Sequence, residues 1–292
     1  MSQIRLFDAH THLNMEEWTE EERREQLRET EEAGIFVMNA GDSASSSLLA
    51  VRLAEEHPWC FASTGIHPSH ASHYTEEDLR TVYRLADHPR VRAVGEIGLD
   101  FYYGKDDKEE QIALFRKQLR FALEKKMPVM IHTRDADALT MDILKEEGLF
   151  SDERKAAFPL RPDGKGGEMP DARVQLHCYS GSAELALEYA KLGATFSLGG
   201  PITFKNGKKP AHVVQEVPLA FLMSETDAPY LTPVPYRGKP NKPMYVEYVV
   251  RRMAVLKDIS YEEAAAATYE NALRFFGLAD SAEGPRVPEG SL

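Results

Sequence analysis

Short apolar runs alternate with amphipathic segments eight times along the chain. The runs occupy residues 4–9, 35–40, 60–65, 91–99, 129–132, 174–177, 194–198 and 220–224. They are too short and too evenly apolar for surface helices, and they read as strands buried on both faces. The segments between them carry helical spacing: 20–33 closed by Gly34, a stretch through Leu48, Leu49, Val51, Leu53 and Ala54 stopped near His57 and Pro58, 75–86, and 108–126. Further helices are expected at 139–147, at 183–192 closed by Gly193, and near 211–216, and two more at 244–256 and 261–276 finish the pattern. The third helix opens on Thr75-Glu76-Glu77-Asp78, an N-terminal cap signature.

Strands joined through helices run parallel, because each crossover returns the chain to the same end of the sheet. Eight such units within 278 residues fit the (β/α)8 TIM barrel, an α/β fold, better than an open doubly wound sheet. One barrel domain is therefore expected over residues 1–278. Two segments stand outside the repeat. Residues 151–171 are rich in Pro, Gly and charge and read as an inserted surface loop; residues 279–292 read as a flexible C-terminal tail.

Composition narrows the function. The 292 residues are 42% hydrophobic, enough for a full core, and carry 35 basic against 47 acidic side chains, a net charge of −12. A broad basic face coating nucleic acid is excluded, whereas a small, locally basic pocket is not. The acidic stretch 15–32 is read as a solvated helix face. Two cysteines, Cys60 and Cys178, make no disulfide framework, no apolar run is long enough to span a membrane, and the N-terminus lacks a secretory pattern. A cytoplasmic protein with no membrane contact and no obligate protein partner is expected.

The chemistry lies at the ends of the runs. Run one ends in Asp8-Ala9-His10-Thr11-His12, run four in Gly95-Glu96-Ile97-Gly98-Leu99-Asp100, and run five in Ile131-His132-Thr133-Arg134-Asp135. Run six ends in Leu176-His177-Cys178 and run eight in Ser224-Glu225-Thr226-Asp227. A parallel barrel brings all of these to one mouth. Two histidines spaced by one residue on a strand share a face. Four histidines (His10, His12, His132, His177) and two carboxylates (Glu96, Asp227) then surround one point, a set suited to one or two divalent cations with a position open for water. The isolated histidines His57, His70, His73, His88 and His212 are read as ordinary rim or core residues. Cys178 is expected to point away from the mouth, toward the helices, and Gly199-Gly200-Pro201 to form a flexible mouth loop.

The motifs DAHTHLN (8–14), GIHP (65–68), GEIGLD (95–100), IHTRDA (131–136), LHCYSG (176–181) and SETDAPYLTP (224–233), followed by RGKPNKP (237–243) and NALRFFGL (271–278), resemble the TatD family of metal-dependent hydrolases, within the amidohydrolase-like barrels. The resemblance implies two neighbouring metal sites, with His10, His12 and Asp227 at one ion, His132 and His177 at the other, and Glu96 between them. Related phosphotriesterase-like barrels use a carboxylated lysine as the bridge, where this chain has glutamate. The insertion at 151–171 departs from the family pattern and is expected on the side away from the mouth.

The resemblance further implies a deoxyribonuclease, in some members a 3′-to-5′ exonuclease, acting on single-stranded DNA ends. Two cations (Zn, Mn or Mg) suit in-line attack on a phosphodiester. Asp227 is the expected orienting base besides being a ligand, and Glu96 the bridging carboxylate of the reaction. The stretch 201–242 carries a charge of +3 in an otherwise acidic chain. From it and the neighbouring mouth loops His67, Arg134, Lys205 and Arg237 are the expected phosphate contacts. Metal-assisted hydrolysis of an ester or amide, as in an aminoacyl-tRNA deacylase or a small-molecule amidohydrolase, is the alternative on the same residues.

Overall fold

A computed structural model describes residues 4–279. Ten strands and ten α-helices follow one another as β1 (Leu6–Thr11), α1 (Glu20–Glu32), β2 (Ile35–Ala40), α2 (Ala44–Glu56), β3 (Cys60–Thr64), α3 (Glu76–Leu85), β4 (Val91–Asp100), α4 (Lys108–Lys125), β5 (Val129–Arg134) and α5 (Asp137–Glu146). Then come α6 (Asp152–Lys155), β6 (Arg161–Pro162), β7 (Glu168–Met169), β8 (Val174–Leu176), α7 (Ala183–Lys191), β9 (Thr195–Leu198), α8 (Lys208–Glu216), β10 (Leu222–Ser224), α9 (Val246–Lys257) and α10 (Tyr261–Phe275). Eight strands form one parallel sheet in the order β1-β2-β3-β4-β5-β8-β9-β10. The TIM barrel expected from the alternation is the observed fold.

The local signals explain the helix starts. Thr19 with Glu22, Thr75 with Asp78 and Ser260 with Glu263 form reciprocal capping boxes that satisfy the first amide groups of α1, α3 and α10. The strands are buried along nearly their whole length, as helices outside and side chains inside require, and their apolar residues pack with the inner faces of the helices in two large clusters. Several boundaries shift from expectation by two or three residues: β1 is Leu6–Thr11, α8 begins at Lys208, and residues 219–221 form a 3-10 turn, so β10 begins only at Leu222.

Closure is made by side chains together with two backbone hydrogen bonds beyond β10. No ladder joins β10 to β1 among the described residues. Instead the buried Asp8 carboxylate accepts the amide of Thr226 at 2.8 Å and the Thr226 hydroxyl, while Ser224 Oγ donates to the Phe7 carbonyl at 3.1 Å. Just above, the Asp227 amide donates to His10 O (2.9 Å) and the His12 amide to Ala228 O (2.9 Å).

The insertion is more than a surface loop. It contains α6 and the antiparallel pair β6 and β7, and two of its arginines are buried. Arg161 stacks 4.1 Å above the Phe221 ring and donates to Ala194 O (3.1 Å), Thr195 Oγ1 (2.8 Å) and Ala220 O (2.6 Å). Arg154 donates to Met127 O at 2.6 Å and Ala172 O at 3.2 Å. These partners precede β5, β8, β9 and β10 or lie at their first residues, so the segment is fastened to the end of the barrel opposite the mouth. Polar composition concealed this, because a guanidinium on backbone carbonyls can be buried while looking hydrophilic in the sequence. Of the expected tail at 279–292, residues 280–292 lie outside the described residues.

Candidate metal centre

His10 lies on β1 and His12 just beyond it, Glu96 lies within β4 and His132 within β5, and His177 and Asp227 follow β8 and β10. The ladder is irregular where it carries them: the β1–β2 register shifts between Asp8 and Thr11, and the β4–β5 register between Val94 and Ile97. Such irregularities re-aim side chains, here Glu96 and His10 toward the barrel axis. Gly98 allows the β4–β5 approach, since a Cβ built there would sit 1.9 Å from His132 O at a φ of +151°.

The two oxygens of Glu96 face two different groups. Oε2 lies 3.3 Å from His10 Nε2 and 3.5 Å from His12 Nε2, and Asp227 Oδ1 is 3.7 and 3.4 Å from the same nitrogens. Oε1 lies 2.8 Å from His132 Nδ1 and 2.7 Å from His177 Nε2. All six side chains singled out in the sequence therefore converge, divided as His10, His12 and Asp227 on one side of Glu96 and His132 and His177 on the other. Every one but His132 and Asp227 is essentially shut off from solvent.

Ring-nitrogen partners decide which atoms can act as ligands. His12 Nδ1 sits 3.1 Å from the Ala40 carbonyl, which can only accept, so Nδ1 carries a hydrogen and Nε2 presents its lone pair to Glu96 and Asp227. His132 Nε2 sits 3.2 Å from Asp100 Oδ2, so Nδ1 presents its lone pair to Glu96. An imidazole lone pair facing a carboxylate oxygen requires a cation between them, whether a proton or a metal ion, and the buried donor set fits a divalent cation. His67 is the opposite case. Its Nδ1 accepts the Ser69 amide at 3.1 Å, which leaves Nε2 as a donor, 3.5 Å from Glu96 Oε1.

Electrostatics follow the same division. Burial opposes the charge on His12, yet its hydrogen bond to Asp227 and the charges of Glu96 and Asp227 push it up to about 9. His132, likewise buried, is pushed up to about 9 by Asp100 and Glu96. Burial drives His67 down to about 3. Against burial, the surrounding histidines hold Glu96 well below the usual carboxylate range, and Asp227 is lowered mainly by His12.

Three carboxylates beside the ligands were not singled out in the sequence. Asp100 orients His132, Asp8 stitches the seam beneath His10, and the buried Glu225 accepts the Cys178 amide at 2.6 Å and the Ser197 hydroxyl while standing 3.9 Å from His177 Nδ1. Their signal was position, two or four residues from a ligand within the same motif. Cys178 departs from expectation. With β8 ending at Leu176, it turns at a φ of +44° and lines the mouth. Burial and the charges of Asp227, Glu225 and Glu96 push its thiol well up, so it remains a poor nucleophile.

The mouth is a cavity of about 730 Å³ above these side chains. His67 and Arg134 line it, whereas Lys205 and Arg237 do not. Lys205 is exposed, and Arg237 lies 3.8 Å above the Phe204 ring. The glycine loop beside the cavity is closely packed rather than flexible: a Cβ on Gly200 would sit 1.7 Å from Leu231 O.

A family model described as TatD related DNase matches residues 7–277. This chain belongs to the TatD family. Among TatD relatives, the uncharacterized metal-dependent hydrolase YabD of Bacillus subtilis is 41% identical over 94% of this chain and 99% of its own length. The 3′-5′ ssDNA/RNA exonuclease TatD of Erwinia amylovora is 33% identical over 94% and 100%. The crystal structure of YJJV, a TatD homolog from Escherichia coli, superposes with a TM-score of 0.81 at 26% identity, covering 94% of this chain and 98% of that one. The TatD chain described here is thus a metal-dependent hydrolase. None of its described helices is long and apolar enough to cross a membrane.

Proposed function

We propose that this hydrolase is a cytoplasmic deoxyribonuclease that shortens single-stranded DNA from an end, using two divalent cations (Zn, Mn or Mg) held on either side of Glu96. The observation that carries the reading is the division of the two Glu96 oxygens between two histidine pairs. His10, His12 and Asp227 would hold one cation, His132 and His177 the other, and Glu96 would touch both. Bound there, the cations would supply Lewis acidity toward a phosphoryl group and a nucleophilic water at neutral pH.

The side chains account for the remaining steps. Asp227 is ionised at neutral pH, stands at the mouth, and is placed to orient the attacking water and accept its proton. His67, neutral and donating from Nε2, would hold a non-bridging phosphate oxygen. Arg134 supplies a positive charge at the mouth. The relative from Erwinia amylovora, named for 3′-5′ exonuclease activity on ssDNA and RNA, supports a nucleic-acid substrate.

Metal-loaded protein should trim an end-labelled single-stranded oligonucleotide progressively, and His132→Ala should lose that activity by orders of magnitude while remaining folded by circular dichroism. Intact DNA combined with rapid cleavage of acyl esters or amides would overturn the nuclease reading and leave a metal-dependent hydrolase of another bond.

A further inference from the structure

Beyond β4 the chain presents Tyr102 and Tyr103 as neighbours, their rings edge-on at 4.8 Å. Tyr103 lines the mouth and yet is 75% exposed, the most exposed large hydrophobic side chain among the described residues. An aromatic ring left in water is ordinarily a loose surface side chain, but this one stands on a rigid turn. Asp100 Oδ1 accepts the amides of both Tyr102 and Tyr103 at 2.9 Å. Gln111, buried on α4, accepts the Asp100 amide at 2.9 Å and donates to the carbonyls of Asp100 and Gly104 at 3.1 and 3.2 Å. Arg134 lies over the pair, its guanidinium carbon 4.0 Å from the Tyr102 ring centre and 4.7 Å from that of Tyr103.

One side chain couples this platform to the ligands. Asp100 holds the tyrosine turn with Oδ1 and the His132 ring with Oδ2. Asp100, itself held by Gln111, therefore ties the backbone that carries Tyr103 to the His132 ring.

We infer that Tyr103, backed by Arg134, is a nucleobase-binding subsite that takes an unstacked base of the strand whose phosphodiester lies over Glu96. The inference rests on the nuclease reading above and deepens it. Every base has a π-face, so a stacking ring is tolerant of sequence, and a base paired and stacked within a duplex cannot reach it. Arg134 fits the same ligand, since its charge lies beside both the ring and the phosphate path. Strand selection would then come from one aromatic platform fixed to the metal centre, on a protein whose overall charge is unfavourable for DNA.

The test pairs enzyme variants with altered substrates. Wild type, Tyr103→Ala and Tyr103→Phe are assayed on a single-stranded oligonucleotide and on the same oligonucleotide with abasic residues at its terminal positions. On the normal strand Tyr103→Ala should raise KM by roughly 5- to 100-fold, the range expected for one lost base–aromatic stack, with kcat changed far less. Tyr103→Phe should match wild type. On the abasic strand wild type should already show the raised KM, and Tyr103→Ala should add nothing. An equal effect of Tyr103→Ala on both strands, or none on either, overturns the stacking subsite while leaving the nuclease intact. Failure of metal-loaded wild type to cut either strand overturns the nuclease reading, and this subsite with it.

Discussion

At the residue scale, the nitrogen that His12 and His132 turn toward Glu96 is selected by what holds the far side of the ring. Asp100 fixes His132 so that Nδ1 faces Glu96. Replacing Asp100 with Ala should weaken metal binding by about 10- to 100-fold, with Asp100→Asn, which keeps an acceptor, falling between the variant and wild type. Competition against a chromophoric chelator measures this directly. The raised pKa values of His12 and His132 have a second consequence. Both rings are charged up to about pH 9 beside their carboxylate partners, and a metal ligand must be neutral. Metal binding should therefore release protons between pH 6.5 and 9, and apparent affinity should climb with pH across that window. Calorimetry in buffers of different ionisation heat would detect the release. The sign for stability is the reverse. A histidine whose folded pKa is raised contributes stability that is complete below about 6.5 and lost as pH rises through about 9, so metal-free protein should melt at lower temperature at pH 9 than at pH 6.5. A melting temperature that stays flat across this range would contradict the charged-histidine pairs.

At the element scale, alternation was enough to locate the eight barrel strands because strands buried on two faces leave continuous apolar runs. It was also enough for the six convergent side chains, since barrel geometry delivers strand ends to one rim. What escaped was whatever depends on backbone direction after a strand ends. Cys178 obeys no alternation once β8 has stopped at Leu176, and Lys205 and Arg237 lie on long connections whose course no periodicity specifies. Asp8 and Asp100 were in view inside their motifs, but their roles lie in hydrogen bonds to Thr226 and His132, which are distant in sequence. The insertion escaped for a different reason, being anchored by guanidinium groups rather than apolar side chains. Arg161→Ala should remove donors from the buried acceptors Ala194 O and Thr195 Oγ1 and from the part-buried Ala220 O, and destabilise the fold by about 2–4 kcal/mol, read as a lower urea midpoint. Because these contacts lie at the end opposite the mouth, kcat should not change. A fall in turnover without a fall in stability would place the insertion nearer the reaction than its contacts do.

At the scale of the whole molecule, the centre and the seam of the barrel are parts of one structure. Asp8 bonds Thr226, and one to four residues farther on stand His10, His12 and Asp227. Asp8→Ala should therefore cost about 2–4 kcal/mol of stability and also loosen this trio, whereas His132 and Glu96, on adjoining strands β4 and β5, should keep their geometry. With two cations held as proposed, titration of Asp8→Ala should show one weakened metal site beside one of near wild-type affinity. Saturating metal should recover part of the lost stability, about 2.7 kcal/mol at a hundredfold excess over Kd. Uniform weakening of all binding would separate the seam from the centre.

The seam also imposes an order of events during synthesis. Glu96, His132 and His177 emerge from the ribosome in the middle of the message, whereas His10 and His12 are made first and must wait for Asp227, some two hundred codons later. The nascent chain carries Glu96, His132 and His177 well before Asp227, so the trio at the seam exists only after the last strand has been translated and brought beside the first. An unfinished polypeptide that stops short of Asp227 therefore lacks one of the two carboxylates of the centre.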